Sequence, residues 1–525
     1  MSFPLKINDA YWENFTINDE DLEYLFSYLF ENEKPLEIEK LVEALINFRI
    51  AKEIKLDQEK QAKRGTSYLP KDTHHVGQEL VFPALDWKSG KVLSIREGIN
   101  PEYLPFNVIK VALDDDTMLE FASGLEDHTL NDPYPINPSE SESDEQKIID
   151  GFGDQISKKL NIELKKNKDL AKLGEKWFPK SMLIDFTQGH LNLAEAVLDM
   201  QLGGPIDTDK LLQEIDVDIK ENPELIEFSF NYALQEDPRF DEVGTKGIFS
   251  WFLHRLEPEE VRNTPNYLRY LKEIDEPFEL EQPDHDLIAT IDDELISLNL
   301  ESYQDNVKSS FALNFPHLQV GSIPLTPGIA SIFPSAYESN RVKILLIDKD
   351  TNQEISCWVV RPNKYVFGLQ KWYQDKELMS GSIINLEKSD DPGVVYIQAQ
   401  KRRSNREWIK TVLVGADGGI VIALLKQAVS AGFAERLAIS VPDPSAIEEI
   451  WKERVLKPKS LKSDIYKMMQ ELSKLNQQRH VHFLELYAAI NIIRRCPPEP
   501  ILHLLNKQQE FTHVGDYYYH LTETG

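Results

Sequence analysis

The spacing of apolar residues changes period several times along this 525-residue chain, and such switching excludes a fold built around one core. Helical spacing governs Thr16 to about Arg64, where Leu22, Leu25, Phe26, Leu29 and Phe30 share a stripe behind Asn18, a candidate N-cap. Leu41, Leu45, Ile46 and Phe48 open a second helix after Lys34-Pro35. From Val76 to Leu125 the runs become short and alternating (QELVFPAL, GKVLSIRE, FNVIKVAL, TMLEFA), which predicts a small antiparallel barrel. The stretch LNDPYPINPSESESDEQ has three prolines, a Ser/Glu run and almost no core residues, and is expected to be a flexible linker. Helices return from Gln155 to Leu256, strands again near Ile323, and helices once more after Ser460. The resulting division is 1–66 helical region, 67–128 barrel, 129–147 acidic linker, 148–258 helices plus hairpin, and 259–320 acidic connector. It continues with 321–412 second barrel, 413–456 β-β-α extension and 457–525 C-terminal module.

Charge divides the chain differently. The formal net charge of -30 opposes phosphate binding, yet from Gly321 onward there are 26 Arg and Lys against 23 Asp and Glu, a net of +3, leaving -33 for residues 1–320. No run of roughly 20 apolar residues exists to span a bilayer, and MSFPLKINDAYWENF lacks a basic segment followed by an apolar one, so a cytoplasmic protein with no membrane contact is expected. Cys357 and Cys496 are the only cysteines and form no CxxC or Cys/His cluster; buried free thiols are expected.

Residues 148–258 run helix, turn, helix, helix, hairpin, the order of a winged helix. The wording resembles the HARE-type winged-helix domains, a group that includes the N-terminal domain of the bacterial RNA polymerase delta subunit. Ala194, Ala196, Val197, Leu198, Pro205, Leu211, Leu212, Arg239, Phe240, Val243, Gly244, Trp251 and Leu253 carry the resemblance. These are mostly packing positions, so the resemblance implies a fold more than an activity. The third helix, LIEFSFNYALQED, has no Arg or Lys to set beside phosphates. Phe240-x-x-Val243-Gly244 before Trp251 is echoed by Phe511-x-x-Val514-Gly515 before Tyr517-x-Tyr519, which marks 457–525 as a second, divergent winged helix. There Arg494, Arg495 and Lys507 surround the third helix, where a groove reader needs cations, although capping or solvation also accounts for them.

Between these modules, strands at Val342 to Ile347, Ile355 to Val360, Ile383 to Leu386 and Val394 to Gln398 surround a short helix, Gly368 to Lys376. With Phe333-Pro334, a Lys349-Asp350 turn, Trp372 and Leu378-x-x-Gly381, this segment resembles the B3-type DNA-binding pseudobarrel. The resemblance implies that two arms at one mouth of the barrel enter the major groove, here near Ser339, Asn340 and Arg341 and near Arg361, Asn363 and Lys364. Arg and Asn suit bidentate contact with guanine or adenine edges, whereas a plain hairpin turn would display the same residues. Lys401, Arg402, Arg403 and Arg406 form the densest basic cluster, either a phosphate contact or a solvated face. The following VLVGADGGIVIALL reads as two strands about a glycine turn, not a phosphate loop.

The fold class expected is thus α+β multidomain, two winged helices with SH3-like and B3-like small barrels. No HExxH, GxSxG or GxGxxG occurs, Asp/Glu pairs such as Asp292-Asp293 read as solvated, and the histidines of the C-terminal region lack carboxylates or thiols at ligand spacing. No catalytic residue, cofactor or metal is therefore assigned. The expected function is a non-enzymatic DNA-binding or transcription-associated regulator. Residues 321–525 would contact duplex DNA, and acidic residues 1–258 would recruit a protein such as RNA polymerase. A protein adaptor without nucleic-acid binding is the alternative. As a whole the layout resembles multidomain bacterial proteins, a resemblance that supplies no activity.

Overall fold

The computed structural model describes all residues except 1–8, 63–65, 83–84, 86–87, 101–104, 116, 127, 132–137, 217–221, 246, 275–276, 297–305, 336–338, 416–417 and 523–525. It is a mixed α+β fold of several small sheets, divided into two compact units, Met1–Ile184 and Asp185–Gly525. Among the described residues no helix is long and apolar enough to cross a membrane. Cys357 and Cys496 are both buried free thiols.

In the first unit α1 (Asp9–Glu13) precedes α2 (Asp19–Asn32). Asn18 caps α2: its Oδ1 accepts from the Asp21 N–H at 3.0 Å, and the Asp21 carboxylate accepts from the Asn18 N–H at 2.9 Å. The helix stops at Glu33, whose left-handed backbone (φ 53°) turns the chain toward β1 (Leu36–Glu37) and α3 (Ile38–Ala62). A five-stranded sheet follows: β2 (Thr66–Ser67), β3 (Glu79–Phe82), β4 (Lys88–Glu97), β5 (Asn107–Leu113) and β6 (Met118–Ser123), in that spatial order. Leu80, Phe82, Val92, Ile109 and Val111 fill its interior, and Tyr68 beside β2 donates its hydroxyl to the Ala122 carbonyl on β6 at 2.6 Å, tying one edge to the other.

The chain then returns as α4 (Pro138–Lys166), β7 (Leu170–Leu173) and β8 (Lys176–Pro179), and β8 pairs with both β7 and β1. Ile156, Leu160 and Leu164 of α4 share one core with Leu25, Leu29, Leu41, Leu45 and Trp177. The five-stranded sheet is therefore an insertion between α3 and α4. The stretch 129–147, expected to be a flexible linker, contributes a 3-10 turn (Thr129–Asn131) and the start of α4, while 132–137 lie outside the described residues. Pro138 takes the first helical position, where its missing N–H is harmless, and the stripe from Ile148 to Leu164 supplies burial that the Ser/Glu composition hides.

The second unit opens with α5 (Gln188–Met200), β9 (Ile206–Asp207), α6 (Thr208–Glu214), α7 (Pro223–Glu236), β10 (Phe240–Glu242) and β11 (Ser250–Leu253). The buried Thr208 hydroxyl donates to Asn231 Oδ1 at 2.6 Å, and the same oxygen takes the Trp251 indole N–H at 2.9 Å, pinning α6, α7 and β11 together. Asp207 does not cap α6 with its side chain; it accepts from the Ser250 hydroxyl at 2.5 Å.

After α8 (Glu259–Arg262) and α9 (Gln282–Ile288) comes a seven-stranded sheet. Its elements are β12 (Lys308–Ala312), α10 (Phe315–Val320), β13 (Ser322–Pro324), α11 (Pro327–Ala330), β14 (Arg341–Asp348), β15 (Glu354–Val360), β16 (Tyr365–Phe367), α12 (Gln370–Asp375), β17 (Ile383–Lys388) and β18 (Val394–Ala399). The spatial order is β12-β17-β18-β14-β15-β16-β13, with β14 and β18 parallel. The stretch 259–320, expected to be an acidic connector, thus supplies an edge strand and a core helix. Gly321 ends α10 at φ 72°, and an added Cβ would lie 2.4 Å from the Gln370 nitrogen, so only glycine fits.

Then β19 (Lys401–Val414) and β20 (Ile420–Ala431) form a long hairpin, joined by β21 (Ile439–Ser440). The chain finishes with α13 (Pro444–Leu456), α14 (Leu461–Ser473), β22 (Val481–His482), α15 (Phe483–Ile493), α16 (Pro498–Lys507), β23 (Phe511–Gly515) and β24 (Tyr518–Leu521). Val412 and Ile422 of the hairpin enter the core built by α14 and α15.

One order, α-β-α-α-β-β, occurs three times, with the first strand of each unit pairing the last: β1-β8-β7, β9-β11-β10 and β22-β24-β23. In each, an aliphatic residue opposes an aromatic one: Leu36 faces Trp177, Ile206 faces Trp251 and Val481 faces Tyr519. Only the second and third units are expected from the sequence. Pro35-Leu36-Glu37-Ile38-Glu39-Lys40-Leu41 nevertheless matches Pro205-Ile206-Asp207-Thr208-Asp209-Lys210-Leu211, and Leu170-x-x-Leu173-Gly174 matches Phe240-x-x-Val243-Gly244. The insertion between α3 and α4 separates the two halves of the first unit and conceals the repeat.

Candidate nucleic-acid interface

The two candidate arms do come together. Arg341 opens β14 opposite Val360, the Arg361–Lys364 turn joins β15 to β16, and Ser339, Asn340, Arg341, Pro362 and Asn363 line one cavity of about 260 Å³. Its facing wall is Asp241 on β10. Arg341 Nη1 lies 3.2 Å from both Asp241 Oδ2 and Glu257 Oε2, so its guanidinium is already held by carboxylates. Burial, and Asp241 beside it, push the Glu257 carboxyl up to about 8, with Arg341 and Arg262 only partly offsetting them. Arg361 Nη2 donates to the carbonyls of Phe333 and Pro334 at 2.9 and 2.8 Å, which braces the chain before β14. The Asn363 side chain hydrogen-bonds Tyr365, and Lys364 is exposed with a left-handed backbone (φ 54°). A base edge entering this mouth would have to displace Arg341 from two acids.

The C-terminal candidates divide sharply. Arg495 is fully buried, with Nη1 2.9 Å from Asp293 Oδ2 and Nη2 2.9 Å from Glu294 Oε1. Burial opposes its charge, but Asp293 and Glu294 hold it well above the usual arginine range. The cluster continues: Tyr487 donates to Asp293 Oδ2 at 2.6 Å, His317 Nε2 lies 2.8 Å from Glu294 Oε2, and His317 Nδ1 lies 2.7 Å from Ser322 Oγ. Asp293 and Glu294, in a run expected to be solvated, are thus the buried anchor between the C-terminal module and the central sheet. Ser322, His317 and Glu294 have the order of a nucleophile triad, but Ser322 is 0% exposed and offers a substrate no approach. Arg494 pairs with Glu273 and lies 3.1 Å from Asp464. Neither arginine is free for a phosphate.

Lys507 is exposed at the end of α16, but the helix itself is covered. Ile501, Leu502 and Leu505 face the core; the Glu279 N–H donates to His503 Nδ1 at 3.2 Å and Asn506 donates to Asp284 Oδ2 at 3.2 Å. An acidic segment therefore lies over the helix expected to face DNA. In the preceding unit α7 buries Ile226, Phe228, Phe230 and Leu234 and carries only acidic charge.

The hairpin is different. Lys401 pairs with Asp350 at 2.8 Å; Arg402 pairs with Glu407 at 2.8 Å and lies over the Phe433 ring at 4.6 Å. Arg403 and Arg406 are exposed and, among the described residues, their side chains make no hydrogen bond or ion pair. Next on the same face of β19 stands Trp408, 65% exposed, opposite Lys426, while Arg406 stands opposite Ala428. Trp408 and Lys426 escape a search for basic runs. The signal that finds them is alternation: Arg406-x-Trp408 on a strand places cation and ring side by side. No family model, curated protein or solved structure matches this chain.

Proposed function

We propose that the protein is a non-enzymatic DNA-binding regulator that contacts DNA through the β19–β20 ribbon and not through its third helices. In this reading the three α-β-α-α-β-β units are winged helices, the inserted sheet is an SH3-like barrel and the seven-stranded sheet is B3-like. The observation that carries it is the exposed set Arg403, Arg406, Trp408 and Lys426 on a two-stranded ribbon. A ribbon fits the major groove, its cations release counterions from phosphates, and an exposed indole stacks or wedges between bases. The acidic remainder of the chain repels the duplex and so restricts approach to this face. Fluorescence anisotropy of labelled duplex DNA with the full chain tests the reading. Affinity should fall with salt, and Arg403→Glu with Arg406→Glu should lower the log–log salt slope by about 2. Absence of salt-sensitive binding at tens of micromolar protein, on the order of non-specific affinity, overturns it.

A protein adaptor is the second reading, favoured by the covering of α16 and the acidity of α7. It predicts that Trp408→Ala weakens binding of a purified protein partner such as RNA polymerase while reversal of Arg403 and Arg406 leaves that binding intact.

A further inference from the structure

The second α-β-α-α-β-β unit holds a donor cluster that DNA contact does not use. Asp241 lies in the middle of β10, and His254 and Glu257 lie in and just after the 3-10 turn (His254–Leu256) that follows β11. The β10–β11 ladder sets Asp241 opposite Phe252, and the His254 N–H donates to the Arg239 carbonyl at 2.9 Å, so the backbone fixes the cluster. One ligand atom from each of Asp241, His254 and Glu257 lies within 4.8 Å of the others.

Glu257 supplies an independent observation. It is 3% exposed; its Oε2 faces Arg341 and lies 3.3 Å from His254 Nδ1, while Oε1 is buried with no hydrogen-bond partner among the described residues. Burial and the neighbouring Asp241 both raise the Glu257 carboxyl, as two acids do when held close with too little positive charge between them, and a divalent cation would supply that charge.

We propose that Asp241, His254 and Glu257 bind a divalent transition cation of the Zn²⁺ or Mn²⁺ type. One imidazole nitrogen with two carboxylate oxygens suits such ions better than the all-oxygen sets preferred by Ca²⁺ and Mg²⁺. The cavity of about 260 Å³ beside Asp241 gives room for water to complete the coordination shell. Arg341 is the competitor, because its Nη1 contacts one oxygen of each carboxylate. Arg341 belongs to the central sheet and the three ligands to the preceding unit, so cation binding and the tie between β10 and β14 oppose one another. The site stands or falls independently of the DNA reading.

Calorimetric titration of ZnCl₂ and of MnCl₂ into the full chain tests it, with His254→Ala, Glu257→Gln and Arg341→Met compared with the parent. A saturable event should weaken by at least about 10-fold in the first two variants and tighten in the third, where a competing charge is gone. His254 has a half-exposed side chain, so its loss leaves the core intact, and the unfolding midpoint of each variant checks the fold. His480→Ala with His520→Ala should leave the event unchanged, which separates it from binding at the stacked C-terminal rings. No saturable binding up to about 1 mM metal, or equal affinity in the parent and His254→Ala, overturns the proposal.

Discussion

Arg495 and the pair Arg403 and Arg406 read alike in sequence, as cations available to a phosphate, yet they occupy opposite environments. Arg495 is sealed between Asp293 and Glu294, whereas Arg403 and Arg406 project from a ribbon where, among the described residues, no acid holds them. The difference teaches that an arginine's availability is set by the acid folded against it, not by local charge density. Glu273, Asp464, Asp241 and Glu257 do the same to Arg494 and Arg341.

The largest expected effect separates the two classes directly. Arg495→Met leaves two carboxylates buried without their cation and should cost about 3–5 kcal/mol in urea denaturation of the full chain. Arg403→Met with Arg406→Met should change stability by about 0.5 kcal/mol or less. Equal effects would break the comparison. Asp292 and Asp293 sharpen it at the level of neighbours. Asp293 meets Arg495; Asp292 does not, and burial, with Asp293 adjacent, pushes its carboxyl up to about 6 although the Ala312 N–H works the other way. A folded-state value above the unfolded one means that its contribution is fully present below about pH 4 and lost as pH rises through 6. Acidification from pH 7 to 5 should therefore stabilise the parent relative to Asp292→Asn, by about 1.3 kcal/mol, measured as the change in their difference of unfolding free energy.

What the sequence makes legible is local. Asn18 at its cap and the strands that begin near Val342, Ile355, Ile383 and Val394 follow from propensity and period, and each is found within a residue or two of its expected bounds. What stays hidden is long range. Arg495 and Asp293 are 202 positions apart, and His503 and Glu279 are 224 apart, so neither the burial of the arginine nor the covering of α16 has a local trace. The first repeat was concealed by an insertion, although Pro35 to Leu41 and Pro205 to Leu211 carry its signature. Trp408 carries no charge and so lies outside the basic run; the two-residue period of a strand is what sets it beside Arg406.

Trp408 then tests whether exposure on the ribbon has a consequence for binding. Trp408→Ala removes no core contact, so the unfolding midpoint should hold while duplex affinity falls by about 1–2 kcal/mol, on the order of one base-stacking contact. Unchanged affinity would reduce the ribbon's role to its cations alone.

The smallest effect lies at Lys401, on the boundary between the two classes. Its amine is 2.8 Å from Asp350, yet its side chain remains mostly exposed, so water and salt screen the pair that geometry makes. Lys401→Met should cost at most about 0.5 kcal/mol, and a double-mutant cycle with Asp350→Asn should show a coupling that vanishes in about 1 M salt. Its DNA contribution follows from the same geometry. Because Asp350 holds Lys401 only weakly, the lysine can leave for a phosphate, and its loss should lower the salt slope by about 1. A coupling above about 1 kcal/mol that survives salt would instead place Lys401 with Arg341 and Arg495, among the cations committed to the fold.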